Sequence, residues 1–151
     1  MEGSRVNSAS IYVTRGLLLA SGLLATGIAA TILAAPDPFY AGYGIDISSN
    51  VSLANELKAP AGTVLVAGLL MLVGVVKPEY AVTSLAVASV IYLSYGLSRL
   101  LSIAVDGFPH SALVSAAMLE LALGAVCLLG LVRLRMNARR TRIAGGREEA
   151  A

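Results

Sequence analysis

Four ionisable side chains stand within long apolar stretches of the sequence or at their edges: Glu56, Lys58, Arg99 and Glu120. An ionisable group at membrane depth costs a few kcal/mol even on permissive insertion scales, so each needs a partner or a water-filled cavity. Two kinds of chemistry suit this set. The groups either form ion pairs that fix how neighbouring helices pack, or the two cations line a pocket for an anionic or carbonyl-bearing ligand, such as a lipid headgroup or a quinone.

A third chemistry, proton transfer between two carboxyl groups, would involve Glu56 and Glu120. It requires that one carboxyl group keep its proton near neutral pH and that a water path reach it. Neither condition is visible in the sequence. Ion pairing therefore ranks first, the ligand pocket second and the proton relay third.

Motifs for catalysis and for cofactor binding are absent from the sequence, which contains no Walker loop, dinucleotide fingerprint, HExxH, nucleophile elbow or CxxC. His110 follows Pro109 in a turn, and no second His or Cys stands at ligand spacing. We interpret it as an interfacial residue. The sequence thus predicts a protein that is not an enzyme and that holds no metal ion or cofactor.

The composition favours a membrane protein. Hydrophobic residues make up 57% of the 151 residues and charged residues 13%, whereas soluble domains average roughly 45–50% and about 25%. Residues 16–36, 59–76, 80–98 and 111–132 contain between them one formal charge, Glu120. Because about 20 helical residues cross the hydrocarbon core, we expect an all-α transmembrane four-helix bundle with spans at about 12–35, 53–76, 80–104 and 111–132.

Residues 1–132 are expected to form a single membrane domain, and residues 133–151 a basic, flexible cytoplasmic tail. The first stretch has an alternative interpretation as a cleaved secretion signal, but its apolar core is longer than a typical signal segment. At the start of the second span, Ser52 is the expected N-terminal cap, and Pro60 removes one backbone hydrogen bond farther along. Short connections predict that spans two, three and four are antiparallel neighbours.

The distribution of cations predicts the topology. Nine of the eleven Lys and Arg residues fall on one side of the spans, and only Lys58 and Arg99 fall toward the other. Because cytoplasmic flanks are enriched in Lys and Arg, both termini are expected in the cytoplasm, with the protein in a bacterial inner membrane. The connection over residues 36–52 is then external. Its aromatic residues are expected at the level of the lipid headgroups: Phe39, Tyr40 and Tyr43.

Arginines follow the fourth span and are expected to contact anionic lipid: Arg133, Arg135, Arg139, Arg140 and Arg142. Each such residue contributes about 1 kcal/mol near an anionic surface. The tail has no aromatic residue for base stacking and no recognisable nucleic-acid-binding module. Nucleic acid is therefore not an expected partner.

The third span carries small and polar residues at helical spacing, which places them on one face: Ser84, Ala88, Tyr92, Tyr95, Arg99 and Ser102. The fourth span has a similar stripe of Ala116, Glu120, Gly124 and Cys127, whose small members allow close approach of another helix. Such faces should point into the bundle. We therefore expect Arg99 and Glu120 to face each other.

Four segments of the chain resemble a bacterial four-span membrane family, domain of unknown function 4345. They are residues 55–62 (Asn-Glu-Leu-Lys-Ala-Pro-Ala-Gly), Gly96-Leu97-Ser98-Arg99, Asp106-Gly107-Phe108-Pro109, and Leu119-Glu120-Leu121 with Gly124. Lys58 stands where that family more often has Arg, which keeps the charge without the planar two-pronged geometry. The resemblance covers about residues 12–132. It implies a four-helix membrane bundle in which Glu56, Lys58, Arg99, Asp106 and Glu120 belong together, and it implies no established activity.

Two functional hypotheses follow. The first is a non-enzymatic accessory or scaffolding subunit of a larger membrane complex, favoured by minimal loops and absent catalytic motifs, with the lipid bilayer and other membrane subunits as partners. The alternative is a module that binds or transports a lipid or a quinone in a polar pocket in the outer half of the bundle. The arrangement of Glu56, Lys58, Arg99 and Glu120 discriminates between them. We expect closure, with every one of these charges paired.

Overall fold

Four helices in the part of the chain that the structure describes have the length and the apolar composition of membrane spans. The computed structural model describes residues 2–148, with side chains described for residues 11–138. Its elements are α1 (Glu2–Ala34), α2 (Pro36–Ala41), α3 (Val51–Val76), a 3₁₀ turn (Pro78–Tyr80), α4 (Ala81–Asp106) and α5 (Ser111–Glu148). The segments long and apolar enough to cross a membrane are Ile11–Ala34, Val51–Val76, Pro78–Asp106 and Ser111–Ala138. The predicted all-α architecture is confirmed, with four helices long and apolar enough to span a membrane, and no β-strand occurs within residues 2–148.

Helix ends differ from the predicted ones for identifiable local reasons. The prediction of Ser52 as the cap of the second span is wrong. Helix α3 starts at Val51, because Asn50 caps it: the Leu53 amide donates to the Asn50 Oδ1 atom at 2.9 Å, and Asn is as good a cap as Ser. The helix runs through Pro60 without interruption. Helix α5 continues past residue 132 to Glu148, so the helix has no break at the predicted boundary of the tail.

Helices α1 and α3 pack as a close antiparallel pair because two glycines face each other. A Cβ atom on Gly68 would lie 2.8 Å from the backbone nitrogen of Thr26, and one on Gly22 would lie 2.8 Å from a methyl group of Leu72. Neither position has room for a side chain. The absent side chains allow the two backbones to approach as they do in many membrane helix pairs.

Helices α4 and α5 form the second close pair. A Cβ atom on Gly124 would lie 2.9 Å from the backbone nitrogen of Leu93, and one on Gly96 would lie 3.1 Å from the backbone nitrogen of Leu121. These glycines lie three residues before Arg99 and four residues after Glu120. The contact that they permit brings the two charged residues to the same level.

The two pairs meet at one end of the bundle, which we call the tail end because the C-terminal part of α5 lies there. Ser84 of α4 donates from its hydroxyl to the Leu70 carbonyl of α3 at 2.7 Å, beside Gly74. Four fully buried side chains fill this half: Leu18, Met71, Leu85 and Cys127. The opposite half, which we call the α2 end, is less completely filled and holds the candidate site.

Candidate ligand-binding site

Arg99 and Glu120 form an ion pair across the interface of α4 and α5. The Arg99 Nε atom donates to the Glu120 Oε2 atom at 3.0 Å. The Arg99 side chain is 34% exposed and that of Glu120 17%. The predicted contact between these two residues is therefore present.

The Arg99–Glu120 ion pair uses one nitrogen of the guanidinium group and one oxygen of the carboxylate. The two terminal nitrogens of Arg99 and the Oε1 atom of Glu120 have no hydrogen-bond partner among the side chains described for residues 11–138. A guanidinium group has five N–H donors, and a carboxylate can accept about four hydrogen bonds. Both groups thus keep most of their hydrogen-bonding capacity.

A cavity of about 370 Å³ opens beside the ion pair, at the α2 end of the bundle. Every helix from α1 to α5 contributes to its wall, and most of the lining side chains are apolar or aromatic. The lining residues are Leu24, Ala25, Ile28, Ala29, Ile32, Phe39, Tyr40, Tyr43, Ile45, Leu57, Pro60, Ala61, Val64, Ile91, Tyr92, Tyr95, Arg99, Leu113, Ala116, Leu119 and Glu120. The site is thus an apolar space with one polar wall.

A hydrogen-bonded contact marks the boundary between the cavity and the filled tail half. The hydroxyl of Tyr92, which is 6% exposed, donates to the backbone carbonyl of Ser21 at 2.7 Å and so joins α4 to α1. The Ser21 hydroxyl in turn lies 3.8 Å from the Cys127 sulfur of α5. Three helices meet at this level.

The segment between α1 and α3 contributes aromatic side chains to the cavity. The Phe39 ring packs edge-on against Tyr40 and Tyr43, at centroid distances of 5.2 Å and 5.4 Å. Burial raises the pKa of Tyr40 above its ordinary value, the nearby Tyr95 raises it further, and the Arg99 guanidinium acts in the opposite direction. Tyr40 therefore remains a neutral hydroxyl at physiological pH, close to the ion pair.

The rest of this segment is held by local hydrogen bonds. Asp46 accepts from the Ser48 hydroxyl at 2.7 Å and from the Ser48 amide at 3.0 Å, and these bonds, the side-chain one first, lower the pKa of the Asp46 carboxyl group. Gly44 adopts a positive φ of 75°, which favours glycine. The conformation of this turn is therefore determined by contacts within the turn itself.

A sequence model of one protein family, described as domain of unknown function 4345 (DUF4345), matches residues 13–131. The chain belongs to this family. No curated protein and no solved structure is similar enough to count as a match. The match covers all of the cavity-lining residues and confirms the resemblance found in the sequence.

In this DUF4345 protein, four of the predicted site residues come together at the cavity: Tyr92, Tyr95, Arg99 and Glu120. They lie on one face of α4 and one face of α5, as the periodicity predicted. Tyr95 is partly buried, and its hydroxyl has no hydrogen-bond partner within residues 11–138.

The expectation that all the charges close on one another is wrong. Glu56 is exposed and Lys58 partly buried, neither lines the cavity, and neither forms an ion pair with a side chain of residues 11–138. Leu57, between them, faces the cavity. Because successive helical residues are rotated by about 100°, the side chains on both sides of Leu57 point away from it.

Asp106 also lies away from the cavity. It is the last residue of α4, and its Oδ2 atom accepts from the Ser102 hydroxyl at 2.9 Å. His110 lies in the next turn, just before α5. Its Nδ1 atom accepts a hydrogen bond from the Ala112 amide at 3.3 Å. Both residues therefore have local roles at helix ends.

The tail arginines of this DUF4345 protein lie at the opposite end from the cavity. Arg133 and Arg135 are exposed on α5. Arg139, Arg140 and Arg142 lie outside the residues whose side chains are described. Contact of these arginines with anionic lipid stays a prediction.

Sequence reasoning missed the contribution of α2 and of the α3 face to the site. Phe39, Tyr40 and Tyr43, which the sequence predicts at the level of the lipid headgroups, all line the cavity. Their position relative to the headgroups stays a prediction. On α3, the spacing of Leu57, Pro60, Ala61 and Val64 by three, one and three residues is a helical-face signal, but all four are apolar and resemble ordinary span residues.

Proposed function

We propose that this protein binds a small apolar molecule, a lipid or a quinone, in the cavity at the α2 end of the bundle, without a chemical step. One observation carries the proposal: a cavity of about 370 Å³ within a four-helix protein has the Arg99–Glu120 ion pair in its wall. Pockets for small ligands span roughly 300–1,000 Å³ and are mostly apolar with a few convergent polar groups. The cavity fits that description.

The size of the cavity supports a bound molecule. Protein interiors have few voids larger than a water molecule, and unfilled space deprives its lining atoms of dispersion contacts. At about 30 Å³ for each water-sized group, a volume of about 370 Å³ holds roughly a dozen such groups. One ring with short substituents, or part of one alkyl chain, would restore the missing contacts.

The ion pair could instead act only as a tie between α4 and α5. Buried ion pairs are often replaced by apolar residues without loss of stability, so helix packing alone gives little reason for one. Its place in the cavity wall, with donors and an acceptor left over, favours a role toward a ligand. Polar groups that orient an apolar ligand are expected to be few and convergent.

The experiment is native mass spectrometry of the full chain purified in mild detergent, followed by extraction and mass identification of any retained molecule. Ala116→Phe fills the cavity from α5, whereas Ala122→Phe places the same ring on an exposed position of the same helix as a matched control. We expect retention by the wild type and the control and loss in Ala116→Phe. Ala29→Phe fills the same space from α1 and replaces the first variant if that one does not fold.

Equal retention by the filled and control variants would overturn the proposal. So would a wild-type protein that carries no molecule and binds neither added decylubiquinone nor added monoacylglycerol. The extracted mass also distinguishes the two sources, since a quinone and an acyl lipid differ in mass and in absorbance.

The accessory-subunit hypothesis remains a prediction beside the binding proposal. The location in a bacterial inner membrane and the cytoplasmic termini also remain predictions. Co-purification tests the accessory role, because a scaffolding subunit would bring another membrane protein with it. A chain that purifies alone in mild detergent would count against that role and would leave the binding proposal unaffected.

A further inference from the structure

We infer that the ligand carries an electrically neutral, hydroxyl-bearing head held between Arg99 and Glu120, with an apolar body that extends between α1 and α5 into the bilayer. Long-chain alcohols, acylglycerols and quinols share this chemistry. The inference rests on the proposed function and narrows it to one class of ligand.

The charge balance of the cavity excludes heads with a net charge. Among the residues that line it, Arg99 is the one cation and Glu120 the one anion, and they are already paired at 3.0 Å. An anionic head would compete with Glu120 for the guanidinium and leave one negative charge in excess. A cationic head would leave Arg99 without its partner. Either excess charge is costly in an apolar, membrane-embedded site.

The unused hydrogen-bonding groups suit a hydroxyl. Within residues 11–138, no group accepts a hydrogen bond from the terminal nitrogens of Arg99, and none donates one to the Oε1 atom of Glu120. These atoms can therefore bond to a ligand. A hydroxyl group accepts and donates at once. It can therefore bind both residues without breaking the ion pair.

The arrangement of α1 and α5 gives the apolar body a route to the lipid. These two helices touch near the tail end, where Leu17 lies beside Gly130 and Ser21 beside Cys127, and they have few contacts elsewhere. At the α2 end the cavity lies between them. Ile28 of α1 and Leu119 of α5 both line the cavity and are 40% and 49% exposed.

Ile28 and Leu119 lie within the spans Ile11–Ala34 and Ser111–Ala138, so an opening between them is at the depth of the hydrocarbon core. An apolar chain that emerges between them passes directly into hydrocarbon. A molecule dissolved in the membrane can thus reach the site sideways, without crossing water.

The test uses a series of probes that share one alkyl chain and differ only in head charge: 1-dodecanol, dodecyl phosphate and dodecylamine. The full chain is placed in phosphatidylcholine nanodiscs and labelled with a dodecanol analogue that carries a photoreactive diazirine on its chain. The three probes then compete with this label. We expect dodecanol to compete about tenfold better than either charged probe, which corresponds to about 1.4 kcal/mol.

Charge variants test the role of the ion pair through the order of preference among the three probes. A purely structural ion pair would leave that order unchanged. Glu120→Gln leaves a net positive cavity and should shift the preference toward dodecyl phosphate. Arg99→Gln should shift it toward dodecylamine. Lys58→Gln is the control, because Lys58 is a cation of α3 that does not line the cavity. In this variant the order of the three probes should not change.

The outcomes distinguish a failure of ligand binding from a failure of the preference for a neutral head. Failure of all three probes to compete, or labelling that Ala116→Phe does not reduce, overturns the binding function itself. Labelling that Ala116→Phe abolishes, combined with dodecyl phosphate or dodecylamine as the strongest competitor, overturns only the neutral-head inference. If the charge variants do not fold, the order of the probes on the wild-type protein decides.

Discussion

The Tyr92 hydroxyl donates a 2.7 Å hydrogen bond to the backbone carbonyl of Ser21, and this contact joins the two helix pairs where the cavity ends and the filled core begins. Below it lie the fully buried side chains of Leu18, Met71 and Leu85. Above it lies the space that Arg99 and Glu120 flank. The hydrogen bond therefore contributes both to the stability of the bundle and to the shape of the site.

Removing this hydrogen bond should lower stability measurably. Tyr92→Phe keeps the ring and leaves the Ser21 carbonyl without this donor, so we expect the free energy of unfolding to fall by about 1 kcal/mol. Unfolding in mixed micelles, followed by circular dichroism, measures it. Tyr80→Phe is the matched control, because Tyr80 is 47% exposed. Equal losses in the two variants would contradict the structural role of the Tyr92 hydroxyl.

The close approach of α4 and α5 should fail when a methyl group is added between them. In Gly124→Ala the new Cβ would lie 2.9 Å from the Leu93 backbone nitrogen, which cannot move aside as a side chain can. We expect a loss of about 1–3 kcal/mol, typical of overpacking, measured as thermal unfolding in detergent. Gly27→Ala meets no atom within 4 Å and should be neutral or slightly stabilising. A similar loss in both variants would mean that helix propensity, and not packing, decides.

The ion pair should show coupling in a double-mutant cycle. Arg99→Met and Glu120→Met each leave a charge unpaired, and each should cost about 2 kcal/mol, less than the ~3–5 kcal/mol of fully buried pairs, because Arg99 is 34% exposed. The double variant should recover much of the loss. Unfolding free energies of the four proteins give the coupling directly. Strict additivity would show that the two side chains do not interact energetically.

The topology can be measured with the chain's own cysteine as a silent background, because Cys127 is 0% exposed. Ser49→Cys places a thiol in the segment before α3, and Ala138→Cys places one on the exposed surface of α5. With cytoplasmic termini, a membrane-impermeant maleimide added to intact cells should label the first variant and spare the second. The reverse pattern would overturn the predicted orientation.

The four spans were predictable because their signals are local. Uncharged stretches of sufficient length and short turns predict the helices and their antiparallel order, and the spacing of Tyr92, Tyr95 and Arg99 places them on one face. Glu120 was predictable as a partner of Arg99, since a lone carboxylate in an apolar span needs one.

The cavity itself was not predictable, because it depends on where helices separate and not on the type of any one residue. Leu57 and Pro60 line the space, while the neighbouring charges of Glu56 and Lys58 point elsewhere. The sequence pattern assigns these charged residues to the site and does not assign the apolar residues beside them. The aromatic residues of the α2 segment have a composition equally suited to a membrane surface and to a cavity.

The placement of the tight glycine contacts has a mechanical consequence. Gly22 and Gly68 lock α1 to α3, and Gly96 and Gly124 lock α4 to α5, whereas the two pairs meet chiefly at the tail end near Ser84. The two helix pairs are thus joined mainly at one end. We expect that a small change in the angle between the pairs would change the volume of the cavity at the other end without repacking either pair, so that the proposed site would accept molecules of somewhat different thickness.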